Sequence, residues 1–287
     1  MPRNFFLLSA LLLLQFTATA QVKEPAITNT AWTKSYPAFR IAGNLYYVGT
    51  YDLACYLITS SNGHILINTG TAASLSLIRS GVEKLGFKMK DIRILLTNQA
   101  HYDHTGAMAA IKKLTGAKLL VNAKDSGVMA DGGRSDYELG KLGTSFAPVV
   151  PDSVLQDRDT IRLGETKLVM LHHPGHTKGS ASYLLDVKDE NRTYRVLIAN
   201  LPTIISDRKF SEIRSYPRIA SDFAYTLKKM KQLNFDIWVA AHASQFNLHT
   251  KHAPGAPYNP TVFADRKGYD AALKELQEAY DNKIKNN

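Results

Sequence analysis

The sequence predicts an α/β domain of four layers, helix, sheet, sheet and helix, an αβ/βα sandwich. Two observations point there. Short apolar segments of strand length alternate with segments of helical period, and two regions repeat the same coarse order of hairpins followed by helices. No low-complexity linker divides residues 21–287, so one domain built from two similar halves is the economical reading.

The chain has 287 residues, and its 45% hydrophobic content is ample for a core. Residues 1–20 read as a targeting segment. Arg3 supplies a positive start, residues 5–16 are almost unbroken apolar, and Ala18-Thr19-Ala20 offers small residues for cleavage. That run is shorter than the roughly 20 residues a spanning helix needs. Export to the periplasm is therefore expected, with the mature chain starting at Gln21 and no later membrane-spanning segment.

Cys55 is the sole cysteine, so the mature chain forms no internal disulfide and no thiolate-rich metal cluster. Its neighbours Leu53, Tyr56, Leu57 and Ile58 mark it as a small buried strand residue. The net charge is +10, but the lysines are scattered over 84–90, Lys112, Lys113, 228–231, Lys283 and Lys285. With no basic run or interleaved aromatic platform, they read as solvated helix faces, and no nucleic-acid partner is expected. A monomer is expected.

In the first half, 45–50 and 54–60 read as strands, Asn62-Gly63 as a tight turn and 64–68 as the returning strand. Residues 74–85 have helical spacing. An apolar strand at 91–97 then runs into Asn98-Gln99-Ala100-His101-Tyr102-Asp103-His104, and 106–114 resumes as helix. In the second half, 160–163 and 167–172 are strands around Gly164-Glu165, followed by Pro174-Gly175-His176-Thr177. A hairpin at 180–187 and 193–199, a helix at 221–233, a strand at 236–240 ending at His242 and an amphipathic helix at 268–285 complete the chain.

Gln99-x-His101-x-Asp103-His104 packs an amide, two imidazoles and a carboxylate into one strand-end loop, a density suited to a borderline cation such as zinc. His176 and His242 each follow an apolar strand at an equivalent position, so a folded sheet brings three loops together. The six side chains suffice for two metal sites of three ligands, each with an open position for water. His64, His172, His249 and His252 read as surface or satisfied core residues. Thr177, Ser180 and Tyr102 read as packing residues near the motifs, and Gly70 and Gly106 as turn residues. Residues 131–136, Asp-Gly-Gly-Arg-Ser-Asp, read as a surface turn with no phosphate-binding role, because the Lys-Ser/Thr ending is missing.

Gln-x-His-x-Asp-His, Gly175-His176-Thr177 and His242 resemble the metal-binding motifs of the metallo-β-lactamase superfamily, whose usual first motif is His-x-His-x-Asp-His. The pattern from Arg40 to Asn259, including residues 41–50 and Asn68-Thr69-Gly70, resembles subclass B3 and within it the GOB-type members, which carry glutamine at the first ligand position. The resemblance spans essentially the whole mature chain. It implies that Gln99, His101 and His176 hold a first zinc and that Asp103, His104 and His242 hold a second. A neutral amide is a weaker ligand than imidazole, so the first site is expected to bind zinc less tightly.

The implied activity is hydrolysis of the β-lactam amide of penicillins, cephalosporins and carbapenems. Water activated at zinc attacks the carbonyl, and Asp103, His104 and His242 form the catalytic set, with Asp103 orienting the nucleophile. Many relatives place a metal-bridging aspartate after the strand where this chain has Ala199-Asn200-Leu201, and its absence favours a β-lactamase. Typical B3 members carry serine at Leu201, so the polar network there differs, and Thr203 is the candidate for holding the substrate carboxylate. No Gly-x-Ser-x-Gly elbow or Ser-x-x-Lys pair supports a serine mechanism. The alternatives are another periplasmic metallohydrolase of the same fold, a lactonase or thioesterase, and a zinc-binding module without catalysis.

Overall fold

The computed structural model describes residues 21–190 and 192–286. The targeting reading of residues 1–20 falls outside them. Two mixed sheets stack face to face. The first contains β1 (Phe39–Ala42), β2 (Leu45–Tyr47), β3 (Tyr56–Ser60), β4 (Gly63–Ile67), β5 (Ile92–Leu96), β6 (Lys118–Asn122) and β7 (Ser153–Leu155), in that spatial order. The second contains β8 (Thr160–Leu163), β9 (Thr166–His172), β10 (Ala181–Lys188), β11 (Thr193–Ala199) and β12 (Ile237–Ala240), again side by side in chain order.

Hairpins make the early pairs of each sheet antiparallel, whereas β4 to β7 and β11 to β12 are parallel. The parallel crossovers carry the helices. These are α1 (Ser74–Lys84), α2 (Tyr102–Thr105), α3 (Met108–Thr115), α4 (Ser126–Asp131), α5 (Ile219–Lys231), α6 (Leu248–Lys251) and α7 (Arg266–Lys285).

The strand period of two assigns alternate residues to different layers. Tyr56, Ile58, Ile65 and Ile67 face Leu168, Met170, Tyr183 and Leu185 across the inter-sheet core. Leu57, Leu66 and Leu95 turn outward and are covered by Ile78 and Val82 of α1 and by Met108 and Ile111 of α3. Both faces of these strands are apolar because both are buried. On the other side α5 packs against α7, where the Tyr269 hydroxyl donates to the Met230 carbonyl at 2.9 Å. The four-layer arrangement is the one expected from the sequence.

Turns account for small differences. Ser60 pairs with Gly63, so the β3–β4 hairpin turns at Ser61-Asn62 and Gly63 is already in the strand at φ 117°. The Gly164-Glu165 turn forms as expected, with Gly164 at φ 56°. The helix expected from residue 106 is preceded by the single turn α2, and Gly106 lies between them. A Cβ on Gly106 would come within 2.5 Å of the Ala72 nitrogen, so the position requires glycine for close backbone approach. Strands β6 and β7 were not expected from the sequence; β6 opens on exposed Lys118, and two of the three residues of β7 are exposed.

Candidate metal centre

The parallel strands deliver their C-terminal loops to one edge. After β4, Asn68 adopts φ 64°, and its side chain donates to Asn98 after β5 at 2.8 Å. Asn98 in turn donates to the Ala181 carbonyl of β10 at 2.8 Å, which ties the first sheet to the second. The two sheets also join where Ala54 N donates to the Ala241 carbonyl (3.1 Å) and Ala243 N to the Asp52 carbonyl (2.7 Å). His242 is thereby brought to residues 103–104, more than 130 positions away in sequence.

Asp103 Oδ2 lies 3.2 Å from His104 Nε2 and 3.4 Å from His242 Nε2, and the two imidazole nitrogens are 3.2 Å apart. Among the described residues these three form a set of donors all within 4.8 Å of one another. Donor separations of about 3.3 Å follow from tetrahedral zinc with bonds of about 2.0–2.1 Å, so the triad fits the ion. Burial disfavours charge on both Asp103 and His242, but the neighbouring groups prevail, His104 and then His242 acting on Asp103. The Asp103 carboxyl sits well below the usual range, and the Asp103 and Asp52 carboxylates push His242 up to about 9.

Asp52 accepts from His242 Nδ1 at 3.2 Å and from the Trp32 indole N–H at 3.1 Å, while its other oxygen accepts from Ser244 N at 2.9 Å. An ionised carboxylate only accepts, so Nδ1 donates to Asp52, and a cation bound by the triad would take the place of the Nε2 proton. Trp32, whose ring centroid is 5.8 Å from His242, walls this side of the site together with half-buried Tyr102.

Gln99, His101 and His176 lie beside the triad, with the His101 and His176 ring centroids 4.9 Å apart. The Gln99 Oε1 atom is buried without a hydrogen-bond partner. His176 Nδ1 donates to the Thr203 carbonyl at 2.8 Å, and the Thr203 hydroxyl oxygen is 2.9 Å from the same nitrogen. Its other nitrogen, Nε2, is left for a ligand. Burial pushes His176 down to about 3, which keeps the ring neutral.

A profile of the metallo-beta-lactamase superfamily matches residues 50–189. The structure is similar to that of the metallo-beta-lactamase GOB-18 from Elizabethkingia meningoseptica. Identity is 56%, coverage is 94% of this chain and 100% of that one, and the TM-score is 0.93. It is also similar to the class B3 di-zinc metallo-beta-lactamase LRA-12 from an Alaskan soil metagenome, with 63% identity, 91% and 99% coverage and a TM-score of 0.90. The chain belongs to the metallo-β-lactamase superfamily. Among curated proteins it is 29% identical over 159 residues to an uncharacterized protein of Aquifex aeolicus, covering 53% of this chain and 66% of that protein. It thus spans about two thirds of the length of that relative.

Other residues of this superfamily member find roles that the sequence left open. Buried Asp125 accepts from Ala100 N (3.0 Å), the Thr177 hydroxyl (2.7 Å) and Gly179 N (2.7 Å), clamping the loop after β5 to the loop after β9. Thr177 and Ser180 serve that clamp. Segment 131–136 is a turn exposed at Arg134 and Ser135, as expected, but with its two glycines and Asp136 buried. Gly132 and Gly133 take φ 71° and 98°, folding the chain back so that Asp136 is buried with Oδ2 3.4 Å from His101 Nε2. Neither Asp52 nor Asp136 has a local signal, since each is an isolated acid in a loop whose partner histidine is distant in sequence.

The remaining histidines have structural partners. His249 stacks on Tyr51, His252 on Phe39, and His64 lies edge-on to Phe87. His172 is within 2.8 Å of the Asn122 amide and lines a separate surface cavity with Lys124, Lys178, Tyr216 and Arg218. Cys55 is fully buried, and burial holds its thiol far above the usual range, so it has no nucleophilic role.

Proposed function

We propose that this protein hydrolyses the amide bond of β-lactam antibiotics with zinc. The carrying observation is the convergence of Asp103, His104 and His242 at zinc-ligand spacing. The likeness over more than nine-tenths of the chain to solved metallo-β-lactamases supports it. Zinc, when bound, supplies Lewis acidity that ionises water near neutral pH and polarises a carbonyl.

The chain's own residues do the rest. Asp103 accepts the proton of the attacking water and fixes its approach, and His104 and His242 hold the metal, the latter oriented by Asp52. Gln99, His101 and His176 form a second, weaker metal site, consistent with the unpartnered Gln99 oxygen and with the di-zinc relative. The Thr203 carbonyl only accepts, so the proton on His176 Nδ1 belongs to that bond. The Thr203 hydroxyl proton is then free to meet the substrate carboxylate. Export of a monomeric chain starting at Gln21 completes the reading, supported by the targeting pattern of residues 1–20. None of the described helices is long and apolar enough to cross a membrane.

The rival is a lactonase or thioesterase on the same ligands. An acyl-coenzyme A thioesterase of Bos taurus is 24% identical over 201 residues, covering 62% of this chain and 67% of that protein. Against it, the loop after β11 offers Asn200 and Leu201, both buried and neither a carboxylate. A substrate panel decides. Rapid opening of penicillins, cephalosporins or carbapenems with poor turnover of lactones and thioesters is expected, and the reverse order overturns the assignment.

A further inference from the structure

The cavity beside His172 lies outside the metal-binding motifs, and none of the candidate zinc ligands lines it. It encloses about 450 Å³, within the range of about 300–1,000 Å³ usual for small-molecule sites. Three stretches of chain build its wall. Lys124 follows β6, His172 and Lys178 belong to the end of β9 and the loop after it, and Tyr216, Arg218 and Asp222 lead into the first turn of α5.

The charge of this wall is unbalanced. Lys124, Lys178 and Arg218 supply three cations, against the single carboxylate of Asp222. Among the described residues neither lysine has an ion-pair partner, and the Lys178 ammonium meets only the Tyr216 ring, 5.7 Å from its centre. Asp222 is already engaged. Its Oδ2 accepts from the Tyr216 hydroxyl at 2.9 Å, and its Oδ1 lies 3.5 Å from Nε of Arg218, whose side chain is 79% exposed. So loose and exposed a pair leaves the guanidinium free to turn to a ligand. The other carboxylates nearby do not line the cavity: Asp157 accepts from the His172 backbone N–H at 2.9 Å, and Asp125 is held in its clamp.

His172 adds a neutral donor. The Lys124 backbone N–H donates to Oδ1 of Asn122 at 3.1 Å, which fixes the amide so that Nδ2 donates to His172 Nδ1 at 2.8 Å. The neutral ring, which burial favours, then carries its proton on Nε2.

We propose that this cavity binds a small molecule bearing a dianionic phosphate group, held by Lys124, Lys178 and Arg218. Three cations against one carboxylate leave two positive charges, which a phosphate monoester neutralises and a lone carboxylate does not. The site also touches the scaffold of the metal centre. Lys124 immediately precedes Asp125, and Lys178 stands between Thr177 and Gly179, the two residues of its loop that Asp125 holds. A phosphate bridging the lysines fastens the same junction from outside, so its binding stabilises the folded chain.

The test uses the zinc-loaded protein, titrated with inorganic phosphate and, at equal ionic strength, with acetate, while backbone amide shifts and the melting temperature are followed. Phosphate is expected to move the amides of Lys124, Lys178, Ser215, Tyr216 and Arg218 saturably and to raise the melting temperature, and acetate to do neither. The double variant Lys124→Gln/Lys178→Gln should bind phosphate at least about 10-fold more weakly, with the parent's melting temperature in its absence. Lys124→Gln alone, at an exposed position, gives the same reading should the double variant fail to fold. Shifts confined to residues 99–104, His176 and His242 would put the anion on zinc and overturn the cavity site. Absence of saturable binding, equal binding of acetate, or parental phosphate affinity in the variants would overturn it as well.

Discussion

At the residue scale, two of the site's imidazoles have their outward nitrogen hydrogen-bonded. His242 has Asp52 and His176 has the Thr203 carbonyl. Replacing Asp52 with alanine is expected to weaken zinc at the Asp103-His104-His242 site about 10- to 100-fold, measured by chelator competition. His242→Ala removes a ligand outright, so turnover should fall by more than about 100-fold; near-parental activity would show that the chemistry lies elsewhere. Gln99→His exchanges an amide for an imidazole and should raise first-site occupancy under limiting zinc, with equal occupancy in mutant and parent contradicting the weak-amide argument.

Asp103 and His104 were legible in the sequence because chemistry forces rare residue types into a short span after a strand. Asp52 and Asp136 were not. An acid in a loop has no periodicity to betray it, and its meaning depends on a histidine 190 positions away in one case. Segment 131–136 is the surface turn that its glycines signal, but they do not say that Asp136 at its end turns inward.

At the scale of elements, strand ends place the loops and buried polar clamps hold them. Element types followed from period and turn chemistry over most of the chain. Boundaries shifted by one to three residues, as at the Ser61-Asn62 turn and where the strand expected at 45–50 ends at Tyr47. β7 was not read because only one of its three residues is buried, and β6 because it opens on the exposed Lys118 directly after α3.

The Asp125 clamp gives a direct test at this scale. Asp125→Ala strands the buried N–H groups of Ala100 and Gly179, at about 1–3 kcal/mol each. A lowered denaturant midpoint is expected, and an unchanged one would mean the loops are held by other contacts. Gly106→Ala pushes a methyl group into the backbone at Thr71 and Ala72 and should destabilise the fold by about 3 kcal/mol in the same assay.

Across the whole molecule, two apolar-faced sheets form a scaffold that needs no disulfide, and the active edge is where the halves meet. The fold class was readable from the repeated order of hairpins and helices, whereas the contact between halves at Ala54 and Ala241 required the three-dimensional arrangement. The central claim is that this edge is a zinc-dependent β-lactamase centre. Its most direct test is the rate of carbapenem and cephalosporin ring opening by the chain starting at Gln21, measured as purified, after chelation and after zinc is restored. Loss on chelation and recovery with zinc is the predicted result; a folded, zinc-loaded protein that leaves every β-lactam intact would contradict it.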